Sequence, residues 1–179
     1  MEKRDYIYVD NSNFWIEGSR FSAVKKGMAK DLREASENGI LDKSWRFDFG
    51  RLLEFSSTNI GKAVLFGSKP PETDSIWNSA KQKGFEVVAL ERHKTSHKEK
   101  RVDTKICSQI VSDMYELMHE GDEVILYSGD ADLTVVKEFL SQKNIKFSIC
   151  FWSHASNQTK KSADNFIRLD DFFDYFTLN

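Results

Sequence analysis

The chain is poor in the residues that mark several protein classes. It has two cysteines in 179 residues, Cys107 and Cys150, too few for a disulfide framework, and both sit among apolar neighbours as small buried thiols do. Two prolines and nine glycines exclude collagen-like and linker-rich chains. No apolar run approaches the ~20 residues that span a bilayer, so membrane insertion is excluded. The N-terminus passes directly into a strand-like run, without the apolar stretch and cleavage site of a signal peptide, and the expected location is cytoplasmic. Charge of one sign is also lacking: the net value is −2, so a nucleic-acid partner would have to be held by a local basic patch. What remains, 40% hydrophobic and 30% charged residues, is the composition of a globular protein. The length suits a single domain over residues 1–179.

Short, consecutively apolar runs recur at Tyr6 to Val9, Ala63 to Phe66, Phe85 to Leu90, Glu123 to Tyr127 and Lys146 to Trp152, the pattern of strands covered on both faces. Helical patterns lie between them, at Asp48 to Ser56, Asp74 to Lys83 and Val135 to Gln142. The clearest runs from Asp103 to about Glu120, with Ile106, Ile110, Val111, Met114, Leu117 and Met118 at three- and four-residue steps and Gly121 as the stop. Strand–helix alternation predicts an α/β fold with a mostly parallel central sheet and helices on both sides. Residues 19–45 are less regular and read as an insertion after the first strand, with a helix over Met28 to Glu37. Phe166 to Leu169 reads as a short strand, and the aromatics from Phe172 to Phe176 as a core-packing terminal helix.

In a parallel sheet, residues just past the carboxyl ends of the strands line the ligand crevice. Asp10 ends the first strand; Asp130 and Asp132 follow a later one through Ser128 and Gly129, which lets the chain turn sharply. Asp103 opens the long helix. Each acid taken singly is as well explained as an Asx turn or a helix cap. Taken together, four carboxylates would repel at a cost of several kcal/mol, which a dication removes. Oxygen-only ligation favours Mg2+ or Mn2+ over zinc, and such ions serve phosphodiester hydrolysis.

The runs Val9-Asp10-Asn11-Ser12-Asn13, Arg101-Val102-Asp103-Thr104-Lys105 and Tyr127-Ser128-Gly129-Asp130-Ala131-Asp132-Leu133 resemble the NYN family of PIN-like ribonucleases, in its LabA-like branch. The resemblance extends to Trp152-Ser153-His154-Ala155-Ser156 and Ser162-Ala163-Asp164-Asn165. It implies a PIN-like three-layer α/β/α fold and metal-dependent endonucleolytic cleavage of RNA, leaving a 3′-hydroxyl and a 5′-phosphate. Carried over position by position, Asp10, Asp103, Asp130 and Asp132 match the metal ligands, and Asn13 an amide that orients the first acid or a bound water. Ser128 would stand beside the metal as a hydrogen-bond donor, or be an ordinary turn serine. Asp164 reads as structural. The family often has Gly where Asn11 and Ser12 stand.

From Arg92 to Lys105 the chain carries six Lys or Arg against two acids. This basic stretch leads into Asp103, so Arg92, Lys94, Lys98, Lys100, Arg101 and Lys105 are the candidate RNA contacts, with a solvated loop as the plain alternative. His93 and His97 suit phosphate contact better than zinc. Trp15 is either a stacking platform for an unpaired base or a core residue. The expected substrate is single-stranded or loop RNA, and a homodimer is left open. Two rival readings stand beside the nuclease: a non-catalytic RNA-binding regulator of the same fold, and a metal-dependent adhesion module, whose Asp-x-Ser-x-Ser loop Asp10 to Asn13 partly imitates.

Overall fold

The computed structural model describes residues 2–69, 75–91 and 98–178. Six strands, β1 (Asp5–Asp10), β2 (Ile60–Lys69), β3 (Glu86–Glu91), β4 (Glu123–Tyr127), β5 (Lys146–Phe151) and β6 (Asn165–Arg168), form one sheet in the order β3-β2-β1-β4-β5-β6. Every pairing is parallel. Helices α1 (Asn11–Lys25), α2 (Leu32–Glu37), α3 (Phe49–Ser56) and α4 (Ser75–Gln82) accompany the first half of the chain. The second half carries α5 (Lys98–Glu116), α6 (Val136–Gln142), α7 (Asn157–Ser162) and α8 (Phe173–Phe176). Right-handed crossovers reverse their side when the chain turns back from β3 to β4, so α5 and α6 lie together on one face, opposite α1, α3 and α4. The fold is the expected α/β/α arrangement. Among the described residues, no helix is long and apolar enough to cross a membrane.

The central strands explain the consecutive apolar runs. Tyr6, Ile7, Tyr8 and Val9 are buried, as are Val124, Ile125, Leu126 and Tyr127, because helices cover both sheet faces. The first seven residues of the segment read as an insertion continue α1 through Lys25, and the helix read over Met28 to Glu37 is the shorter α2, which starts at Leu32 because Asp31 caps it by accepting Glu34 N. The remainder returns Trp45 and Phe47 to the core, where Phe14 meets Phe47 edge-on at 4.9 Å and stacks on Trp152 at 5.4 Å. At the C-terminus only two aromatics are core: Phe173 and Phe176 are buried, while Phe172 and Tyr175 are exposed.

Two boundaries of the long helix differ from the sequence pattern. It begins at Lys98 rather than Asp103, because Val102 is buried and in phase with Ile106 and Ile110. It ends at Glu116, where the Leu117 and Met118 amides both reach the Asp113 carbonyl, and Gly121 serves the later turn at φ 88°. A buried polar cluster sets this helix against the sheet. Asp113 accepts hydrogen bonds from Tyr8 Oη at 2.8 Å, Lys62 Nζ at 2.9 Å and Gln109 Nε2 at 3.0 Å, which ties α5 to β1 and β2. Breaking such a buried pair leaves a bare charge, so sliding of the helix is strongly disfavoured.

Candidate active site

β1 and β4 are neighbours in the sheet, yet the chain leaves them in opposite directions. The crevice beyond their carboxyl ends is therefore the topological switch point where α/β sheets bind ligands. Val9 pairs with Tyr127, so Asp10 and Ser128 emerge side by side. Asp10 is 5% exposed. Its Oδ1 accepts the Asn13 N–H at 3.2 Å, capping α1, and its Oδ2 lies 3.3 Å from Ser128 Oγ. Asn11 onward is helix rather than the open polar loop read from the sequence, because this cap lets α1 start directly at the strand end.

The Asn13 side chain clips the β4 loop to α1. Its Oδ1 accepts Gly129 N at 2.8 Å and Ser128 Oγ at 3.2 Å, and Ser128 Oγ in turn accepts Asp130 N at 3.2 Å. Asp130 caps the 3-10 turn Ala131–Val135 by accepting Asp132 N at 2.9 Å. The capping role considered for Asp132 thus falls to Asp130, and that considered for Asp103 falls away, since Asp103 lies within α5. Gly129 is required for a reason other than the sharp turn inferred from the sequence. It has no positive φ, but a methyl group there would overlap the Phe151 ring.

Burial raises the Asp10 carboxyl to about 6. The Asn13 N–H and Ser128 O–H oppose this, while the negative charges of Asp103 and Asp130 add to it. The Cys107 thiol is likewise raised by burial, then by Asp103, Asp130 and Asp132. Asp103 and Asp130 thus act on Asp10, and Asp103, Asp130 and Asp132 on Cys107. Among the described residues, no three Asp, Glu, His or Cys side chains stand close enough to form a ready-made metal group. The donor set suits an ion such as Mg2+, which binds through one or two carboxylates and retains several waters.

The candidate RNA contacts divide. Arg92, Lys94, His93 and His97 lie outside the described residues. Lys98 and Lys100 belong to the first turn of α5. Arg101 and Lys105 are exposed on that helix. Trp15 is half-buried against the core, and its indole N–H donates to the Trp45 carbonyl at 3.1 Å. Phe14 and Trp152 are fully buried. Asp164 sits at the other end of β5, ion-paired with Lys137 and accepting Phe147 N at 2.9 Å.

Two supports escaped the sequence reading. Buried Thr159 donates from Oγ1 to the Gly129 carbonyl at 3.1 Å, and Glu17 pairs with both His154 and Arg20 beside the β5 loop. Ser156, which accepts Thr159 N and caps α7, left a capping signal in the sequence. The Glu17–His154 pair spans 137 residues and left none.

A family model described as NYN domain matches residues 7–170. No curated protein matches the chain. Among solved structures, a protein of unknown function from Vibrio parahaemolyticus RIMD 2210633 is similar, with a TM-score of 0.69 and 19% identity, covering 99% of this chain and 97% of that one. At that identity the likeness is one of fold.

Proposed function

The chain belongs to the NYN domain family of PIN-like ribonucleases, and on that footing we propose that it is a divalent-metal-dependent endoribonuclease. It acts as one domain on single-stranded or loop RNA. The observation that carries the reading is Asp10: a nearly inaccessible carboxylate at the switch point, in the field of Asp103 and Asp130. Isolated burial of such a charge is unfavourable, and a fold retains it where a cation offsets the cost.

Asp10, with one of Asp103, Asp130 and Asp132 in direct contact and the others through bound waters, would hold Mg2+ or Mn2+. The ion would supply a water of lowered pKa and offset charge developing on the phosphoryl oxygens. Asn13 and Ser128 keep the two acidic segments in register and restrict Asp10 to one orientation. Arg101 and Lys105 present positive charge on the exposed side of the helix that carries Asp103, adding to the attraction for an RNA backbone. No histidine or lysine is required as general base.

The test is cleavage of an end-labelled single-stranded RNA by the purified chain with Mg2+ or Mn2+, with EDTA, and with Asp10→Asn and Asp130→Asn. Metal-dependent internal cleavage lost in both variants is expected. Absence of cleavage by the unmodified chain, or full activity in both variants, overturns the proposal.

A further inference from the structure

A groove of about 530 Å³ runs between α5 and α6, starting at the candidate active site. Asp103 and Asp132 line the end nearest the candidate active site. Below them, Cys107 and Val111 of α5 face Val135 and Phe139 across the groove, with Thr104 and Ser108 along the α5 wall. These positions recur at helical steps of three or four, so the lining descends about 12 Å along α5 from position 103 to 111. The walls are apolar yet open: Val135 is 49% exposed and Phe139 is 39% exposed, while the neighbouring Val136 and Leu140 are buried.

We propose that this groove is a nucleobase subsite, receiving the unpaired base beside the bond that is cut. The proposal rests on the ribonuclease reading and adds a specificity determinant to it. Three features select this occupant. The groove is continuous with the catalytic carboxylates, since Asp103 and Asp132 belong to both. Its polarity is graded, with acids at one end and apolar walls beyond them, which matches a nucleotide whose phosphate is bridged by a cation and whose base lies against the walls. Phe139 offers an aromatic surface, and every base has a π-face to stack on one. Ser108 Oγ donates to the Lys105 carbonyl at 3.1 Å, which leaves its lone pairs to accept from the edge of a base. A free phosphate, even bridged by the same cation, has no apolar part to cover Val111, Val135 and Phe139, and an acidic peptide has no base to stack on Phe139.

The test uses a single-stranded RNA whose cut site has been mapped with the unmodified enzyme and Mn2+, and the same RNA carrying one abasic position on either side of that bond. Two variants alter the groove without touching the carboxylates: Phe139→Ser removes the ring, and Ser108→Trp fills the space from an exposed helical position. One of the abasic RNAs is expected to have a KM roughly 5- to 150-fold higher in the unmodified enzyme, the range set by loss of one base–aromatic contact. Both variants should raise KM for intact RNA by a similar factor, with kcat little changed, and should no longer distinguish the abasic RNA. Normal cleavage with equal KM for abasic and intact RNA, or unchanged KM in both variants, overturns the subsite while leaving the ribonuclease reading intact. Unchanged KM together with loss of a dimer in Ser108→Trp overturns it in favour of a second copy of this chain. Absence of metal-dependent cleavage in the unmodified enzyme overturns both.

Discussion

Replacing Asp10 with Asn should stabilise the metal-free protein while abolishing activity. The carboxyl is raised from 3.8 to about 6, chiefly by burial. The native state therefore binds this proton more tightly than the unfolded chain. Between pH 4 and 6 the native state holds the extra proton, so stability falls as pH rises through that window. At 1.36 kcal/mol per unit, the loss above pH 6 is about 3 kcal/mol. Asparagine does not titrate, still caps α1 through Asn13 N–H, and keeps the volume of the site. In EDTA at pH 7.5 the variant should be more stable by about 1–3 kcal/mol, a rise in Tm of roughly 2–10 °C for a chain of this size. Calorimetric unfolding between pH 4 and 8 reads this directly. Millimolar Mn2+ should raise the Tm of the unmodified protein and leave the variant unmoved, because only an ion bound to the native state stabilises it. A variant no more stable than the parent at pH 7.5, or one that keeps the parent's slope between pH 4 and 6, would refute the reasoning.

Other consequences are equally direct. Gly129→Ala should cost about 1–3 kcal/mol in urea unfolding, since the methyl displaces Phe151; a neutral result would mean the loop is not held against that ring. Asn13→Ala leaves Gly129 N without its acceptor and removes one of the partners of Ser128 Oγ, and about 1–3 kcal/mol of stability should be lost together with most cleavage activity. In the double variant Arg101→Ala, Lys105→Ala, the slope of log affinity for single-stranded RNA against log salt should shallow by about 1.4, or ~0.7 per lost phosphate contact. An unchanged slope would place the RNA elsewhere. Burial pushes the Cys150 thiol up to about 12, so a thiol reagent should titrate Cys107 alone in the native protein and both cysteines after denaturation; two equally fast native thiols would contradict the packing of β5.

The strands and the helical stripe of α5 were legible because both depend on local periodicity: apolar residues at every position for a strand covered twice, and at every third or fourth for a helix against a sheet. The acids were legible as strand-end residues for the same reason. Other features left only weak marks. The true start of α5 depends on Val102, one buried residue preceded by lysines and arginine. Asn13 reads as a polar residue after a strand, and nothing local says that its amide oxygen will receive an N–H from position 129. The need for glycine at 129 comes from an aromatic ring 22 residues later.

The sequence by itself determined that this chain makes a parallel α/β sheet with carboxylates at the ends of β1 and β4, since periodicity and turn chemistry act over a few residues and survive in the linear order. Only the tertiary structure decided that Asp10 is buried, that Asp103 and Asp132 open onto a shared groove, and that Trp15 lends its N–H to the core. Those outcomes are set by which surfaces exclude water once β1 and β4 pair and α5 locks through Asp113 onto the sheet.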